Sequence, residues 1–101
     1  MTQLPVVCTL TPETMATRRA QLLPGLFRRA QAVEATEDGF RLRFDSSAET
    51  LRAVVAAIDA ERRCCRFLRF ELLVEPNAGA LVLALGGPPG TREFIAALCD
   101  V

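Results

Sequence analysis

Apolar and charged residues alternate strictly along Phe40-Arg41-Leu42-Arg43-Phe44, as in a strand with one buried face. Asp38-Gly39, just before it, reads as a two-residue hairpin turn. That turn sets Glu34 opposite Arg43 and Ala35 opposite Leu42, so one face is apolar and the other carries opposite charges. A second alternation puts Leu68, Phe70, Leu72 and Val74 on one face of a strand over residues 67–75. Pro76-Asn77-Ala78-Gly79 turns the chain, and residues 80–85 return as another strand. Residues 5–10 are short, apolar and β-prone, which predicts a first strand.

Elsewhere the period changes to that of a helix. Leu51, Val54, Val55 and Ile58 share one helical face. Ser46 and Glu49 make a capping box ahead of them, and the helix is expected to end near Cys65. An earlier helix starts with Thr11 as N-cap, Pro12 at the first helical position and Glu13 near the positive dipole end. It runs to Leu22 or Leu23, where Pro24-Gly25 kinks or ends it, and a short turn over residues 26–30 continues it. Residues 86–90 form a loop, and Thr91 caps a last helix over residues 92–99. The order is β-α-β-β-α-β-β-α. Hairpins dominate it, which predicts an α+β two-layer sandwich: a mostly antiparallel sheet with helices on one face.

The chain has 101 residues, half of them apolar, enough for one domain over residues 1–101 with a real core. Twelve basic residues, all arginine, balance twelve acidic ones, so no global charge draws it to nucleic acid or anionic lipid. Histidine is absent, which excludes imidazole ligands and imidazole-dependent catalytic triads. The N-terminus lacks the basic and long apolar regions of a signal peptide, and no apolar stretch is long enough to span a bilayer. The expected compartment is the cytoplasm, where the four cysteines stay reduced. Gly87-Pro88-Pro89-Gly90-Thr91 has the outline of a phosphate loop but lacks its Gly-Lys pair, and Glu93 would repel a phosphate; a tight turn into a helix fits better. Nothing in the pattern supports hydrolase, kinase or nucleotide chemistry.

What remains is Glu61-Arg62-Arg63-Cys64-Cys65-Arg66. At about 100° per residue, Cys65 lies near the core direction of its helix and Cys64 toward the flank. Glu61, at i−3 and i−4 from them, can touch both. Arg62, Arg63, Arg66 and Arg69 favour thiolate over thiol, while Glu61 and the negative end of the helix dipole oppose it. Cys99, beside Leu98 on an apolar helix, reads as core filler.

Across nearly its whole length the chain resembles a family of small, largely uncharacterised bacterial proteins. The likeness rests on Cys8-Thr9-Leu10, Arg18-Arg19, Asp38-Gly39-Phe40, Glu61-Arg62-Arg63-Cys64-Cys65-Arg66-Phe67, Phe70-Glu71-Leu72 and Gly87-Pro88. Many relatives carry proline where this chain has Arg66. The family has no assigned activity, though some relatives are associated with metal-responsive regulation or mercury resistance. The resemblance singles out Cys8, Glu61, Cys64 and Cys65, and leaves Cys99 out.

Three functions compete. The first is a site for a soft heavy metal or metalloid, with Cys8, Cys64 and Cys65 as thiolates and Glu61 as fourth ligand or supporting base. Zinc accepts such a set, but adjacent cysteines diverge on a helix, so mercury(II) or arsenic(III) fits better. The second is a thiol redox switch using the vicinal pair, with Cys8 as a resolving thiol. The third is a non-catalytic interaction module that pairs, as a homodimer or with a protein partner, through an edge strand or its arginines.

Overall fold

Phe40, Leu42 and Phe44 all point into the core, and Arg41 and Arg43 between them face solvent. The structure, a computed structural model, describes residues 23–101. They form α1 (Leu23–Arg29), β1 (Ala32–Ala35), β2 (Gly39–Phe44), α2 (Ala48–Cys64), β3 (Arg69–Val74), β4 (Leu81–Gly86) and α3 (Thr91–Cys99). The expected first strand, the expected helix start at Thr11 and Cys8 lie outside the described residues. All pairings are antiparallel, in the order β1-β2-β4-β3. The expected α+β fold is therefore present: two hairpins joined through their inner strands, with helices on the face that carries Leu42, Phe44, Leu81 and Leu83. Each of those side chains is at most 2% exposed, and full burial of one contributes roughly 1.5–3 kcal/mol. An edge-to-face ring pair ties α1 to this layer, Phe27 on Phe40 at 5.3 Å, and a second, Phe67 on Phe94 at 5.1 Å, ties α3 to the turn that follows α2.

The first hairpin departs from the expected register by two residues. Glu34 lies opposite Arg41 and Ala35 opposite Phe40. The turn residues are Glu37 and Asp38, and the Thr36 N–H donates to the Gly39 carbonyl at 2.9 Å. A two-residue slip leaves every side chain on its expected face, because the strand repeat is also two. The charged pairing survives with a new partner: Arg41 donates to Glu34 at 2.6 Å. Gly39 is therefore no turn residue. It faces Gly86 across the β2–β4 seam, where a Cβ would lie 1.9 Å from the Leu85 carbonyl oxygen.

The second hairpin turns where expected. Asn77 and Ala78 both hold positive φ, 58° and 54°, and the Gly79 N–H donates to the Pro76 carbonyl at 3.1 Å. This left-handed pair matches the twist of its flanking strands. Alanine is costly there, so Ala78→Gly is expected to stabilise the protein by about 0.5–1 kcal/mol, read as a raised urea midpoint. A lowered midpoint would contradict the described turn.

The helix starts differ from expectation. The N-cap of α2 is Ser47, not Ser46: the Thr50 N–H donates to the Ser47 hydroxyl oxygen at 3.1 Å. Asp45 replaces the expected Glu49 as the acidic partner. It accepts from the Ser47 N–H at 3.0 Å and from the Thr50 hydroxyl at 2.8 Å. These bonds, with Ser47 and then Thr50 the main causes, lower the Asp45 pKa from 3.8 to about 2. A depressed carboxylate stabilises the fold above its unfolded pKa, and the benefit is lost as pH falls through the folded one. The stability difference between the parent and Asp45→Asn should thus shrink between pH 4 and about 2; a difference independent of pH in urea titrations would refute the network. In α3 the N-cap is Gly90, at φ 97°, and Thr91 is the first helical residue, donating its hydroxyl to the Pro88 carbonyl at 2.7 Å. Pro24 and Gly25 lie inside α1, and the helix they were expected to end or kink lies outside the described residues. They sit in the first turn of α1, where the missing proline N–H is not needed.

Candidate functional site

The buried stripe of α2 is Thr50, Val54, Ala57 and Glu61. It is rotated from the stripe expected from Leu51, Val54, Val55 and Ile58: Leu51 and Ile58 are half-buried and Val55 is 50% exposed. The rotation carries Glu61 into the core face, where it is 0% exposed. A buried carboxylate is costly to desolvate, which makes Glu61 the first candidate for a functional side chain in α2.

Helical geometry ends between the two cysteines. Cys64 is the last residue of α2, and Cys65 is its C-cap with φ −114° and ψ 79°. The Cys65 N–H still donates to the Glu61 carbonyl at 2.7 Å, and its own carbonyl accepts from Leu68 at 3.0 Å. Cys65 is thus held one turn above Glu61, while its backbone leaves the helix just beyond that bond. Cys65 is fully buried and Cys64 half-buried, in agreement with the core and flank directions expected of them. Cys99 is half-buried against the core.

The arginine cluster is spent differently than expected. Arg62 donates to Asp59 at 2.8 and 3.0 Å, and Arg63 donates to the other Asp59 oxygen. These bonds, Arg62 first and then Arg63, hold the Asp59 carboxyl below its ordinary pKa. Arg69 pairs with Glu71 at 3.2 Å. Of the four arginines, only Arg66 enters no ion pair among the described residues. Most of the positive charge near the thiols is therefore matched by carboxylates, and its pull toward thiolate is weaker than the sequence implies. Asp59 does not stand out in the sequence, although its i, i+3 and i+4 spacing to Arg62 and Arg63 is there to read.

Among the described residues, no group of three or more cysteine, aspartate or glutamate side chains is gathered so as to hold a metal ion. Glu61, Cys64 and Cys65 share one turn, and Cys8 lies outside the described residues. No helix among those residues is long and apolar enough to cross a membrane. No family model, curated protein or solved structure matches the chain.

Proposed function

We propose that the C-terminal turn of α2 binds a soft metal or metalloid ion. Cys64 and Cys65 supply two thiolates, Cys8 a third, and Glu61 a fourth ligand or a base that takes the thiol proton. The observation that carries this reading is the full burial of Glu61 and Cys65 in one turn, at the residue where the helix gives way. Adjacent sulfurs diverge on a regular helix, so an ion held by both requires the helix end at Cys64 and Cys65 to unwind by part of a turn on binding. Two or three thiolates suit mercury(II) or arsenic(III), and the carboxylate leaves zinc within reach.

The test is titration of the reduced, ion-free full chain with mercury(II), arsenite and zinc, following thiol content and heteronuclear NMR shifts. Stoichiometric binding that moves Cys8, Glu61, Cys64 and Cys65 together is expected. Glu61→Gln should weaken it roughly 10–100-fold, as loss of a supporting group does at other metal sites. Ordinary thiol reactivity with scattered shifts would sink the proposal. A redox role would then remain for the vicinal pair, recognised by a reversible two-electron oxidation of Cys64 and Cys65.

A further inference from the structure

β3 closes one side of the described sheet, and among the described residues it pairs only with β4. The backbone N–H and C=O groups on its other side therefore form an open row over residues 69–74. Its side chains facing the helices show the same opening. Leu81, Leu83 and Leu85 of β4 are at most 2% exposed, but their cross-strand partners are less covered: Leu72 and Phe70 are half-buried, and Val74 is 59% exposed. On the opposite side Leu73 is 55% exposed. Edge strands are commonly guarded by a proline, a lysine, a bulge or shortness. β3 is six residues long, its register with β4 runs unbroken, and it holds neither proline nor lysine. β1, the other edge, has only four residues.

We infer that β3 is a self-association edge: two copies of the chain join their β3 strands antiparallel, about a two-fold axis perpendicular to the sheet at Leu72, so that the two sheets become one. The charge pattern selects this register. About such an axis, residues facing each other lie on the same side of the sheet, so over residues 69–75 the axis can pass through Glu71, Leu72 or Leu73. At Glu71 it sets that carboxylate against its own image. At Leu73 it sets Glu71 against Glu75 twice. At Leu72 it sets Arg69 against Glu75 twice, Phe70 against Val74 twice, and Leu72 against Leu72. Opposite charges then close both ends, and the apolar side chains left open toward the helices cover one another. The bond of Arg69 to Glu71 joins two exposed side chains at 3.2 Å, and a guanidinium has donors for a second carboxylate. Glu75 enters no ion pair among the described residues, and its N–H donates to the Ala80 carbonyl at 3.4 Å, which keeps it in line with the strand. Main-chain bonds supply the affinity of such a contact, and the side-chain pairs fix its register. None of the side chains assigned to the ion site takes part.

Sedimentation of the reduced, ion-free full chain over a wide concentration range tests it, together with amide hydrogen exchange. A monomer–dimer equilibrium is expected. Alternate amides of residues 69–74 should lose protection on dilution, while those of β4 keep theirs. Glu75→Arg, at an exposed position, sets arginines against each other at both ends. It should weaken the dimer roughly tenfold or more with an unchanged circular dichroism spectrum. Adding Arg69→Glu reverses both pairs and should recover much of the loss. A monomer at every concentration overturns the proposal. So does a dimer indifferent to Glu75→Arg, which places the contact elsewhere. Nuclear Overhauser contacts between β3 and residues 1–22 of the same molecule, persisting on dilution, also overturn it, because the edge is then taken by the chain itself.

Discussion

Gly39→Ala is expected to cost at least about 4 kcal/mol, a large part of the stability of a domain this size. The added Cβ would sit 1.9 Å from the Leu85 carbonyl oxygen and 2.8 Å from the Gly86 Cα. Both obstacles are backbone atoms of β4, so no side-chain rotation relieves them. The two strands must separate, and with them goes the only pairing that joins the two hairpins of the described sheet. Gly90 gives the contrast. Its φ is 97°, but a Cβ added there would meet nothing within 4 Å, so Gly90→Ala costs only the left-handed backbone, about 1–2 kcal/mol. Urea unfolding of the two variants separates these causes. A Gly39→Ala protein within about 1 kcal/mol of the parent would mean that β2 and β4 do not pair as described.

The second large effect concerns the thiols, and the two cysteines should respond differently. Cys64 is half-buried, so Cys64→Ser is expected to change stability by less than about 1 kcal/mol. Arsenic(III) takes three thiolates, and losing one should lower its affinity at least a hundredfold, roughly 2.7 kcal/mol. Mercury(II) is content with two and should lose less. Cys65 is fully buried in the core. Cys65→Ser puts a hydroxyl there and costs roughly 1–3 kcal/mol besides its effect on binding. Binding loss in Cys65→Ser is therefore read only beside its stability, while Cys64→Ser reads the site alone. Equal arsenite affinity in the parent and Cys64→Ser, by competition with a dithiol, would remove Cys64 from the site.

The sheet is legible in the sequence because alternation is a strong signal. Phe40, Leu42 and Phe44 go inward as their spacing requires, and a difference of two residues in the hairpin register changes no face. The reason for Gly39 is not legible, since a glycine needed for close approach looks in sequence like a glycine needed for a turn. The cap of α2 shifts by one residue where serines adjoin, because Ser46 and Ser47 are alike until Asp45 and Thr50 choose between them. The core face of α2 is hard to read because its most obvious apolar residues are not the most buried ones. Val55 has the spacing of a core residue and faces outward, while Glu61, a carboxylate, takes a core position no hydrophobicity pattern would assign it. At the candidate site, the sequence locates Glu61, Cys64 and Cys65 in one turn. The arginines' commitment to Asp59 and Glu71 depends on neighbours that a reading confined to the cysteine motif passes over.

The order of strands also sets an order of events in time. Each hairpin closes over a short turn, a step that takes on the order of microseconds in isolated peptides. The seam between β2 and β4 joins residues far apart in the chain, from Phe44–Leu81 to Gly39–Gly86, with all of α2 and β3 between them. Its loop-closure entropy must be met before its contacts stabilise anything, so seam formation is the slow step in assembling this sheet. Until it is complete, β2 and β4 are bare inner edges, apolar on one side. That short-lived species is where strands of neighbouring chains would find each other during synthesis.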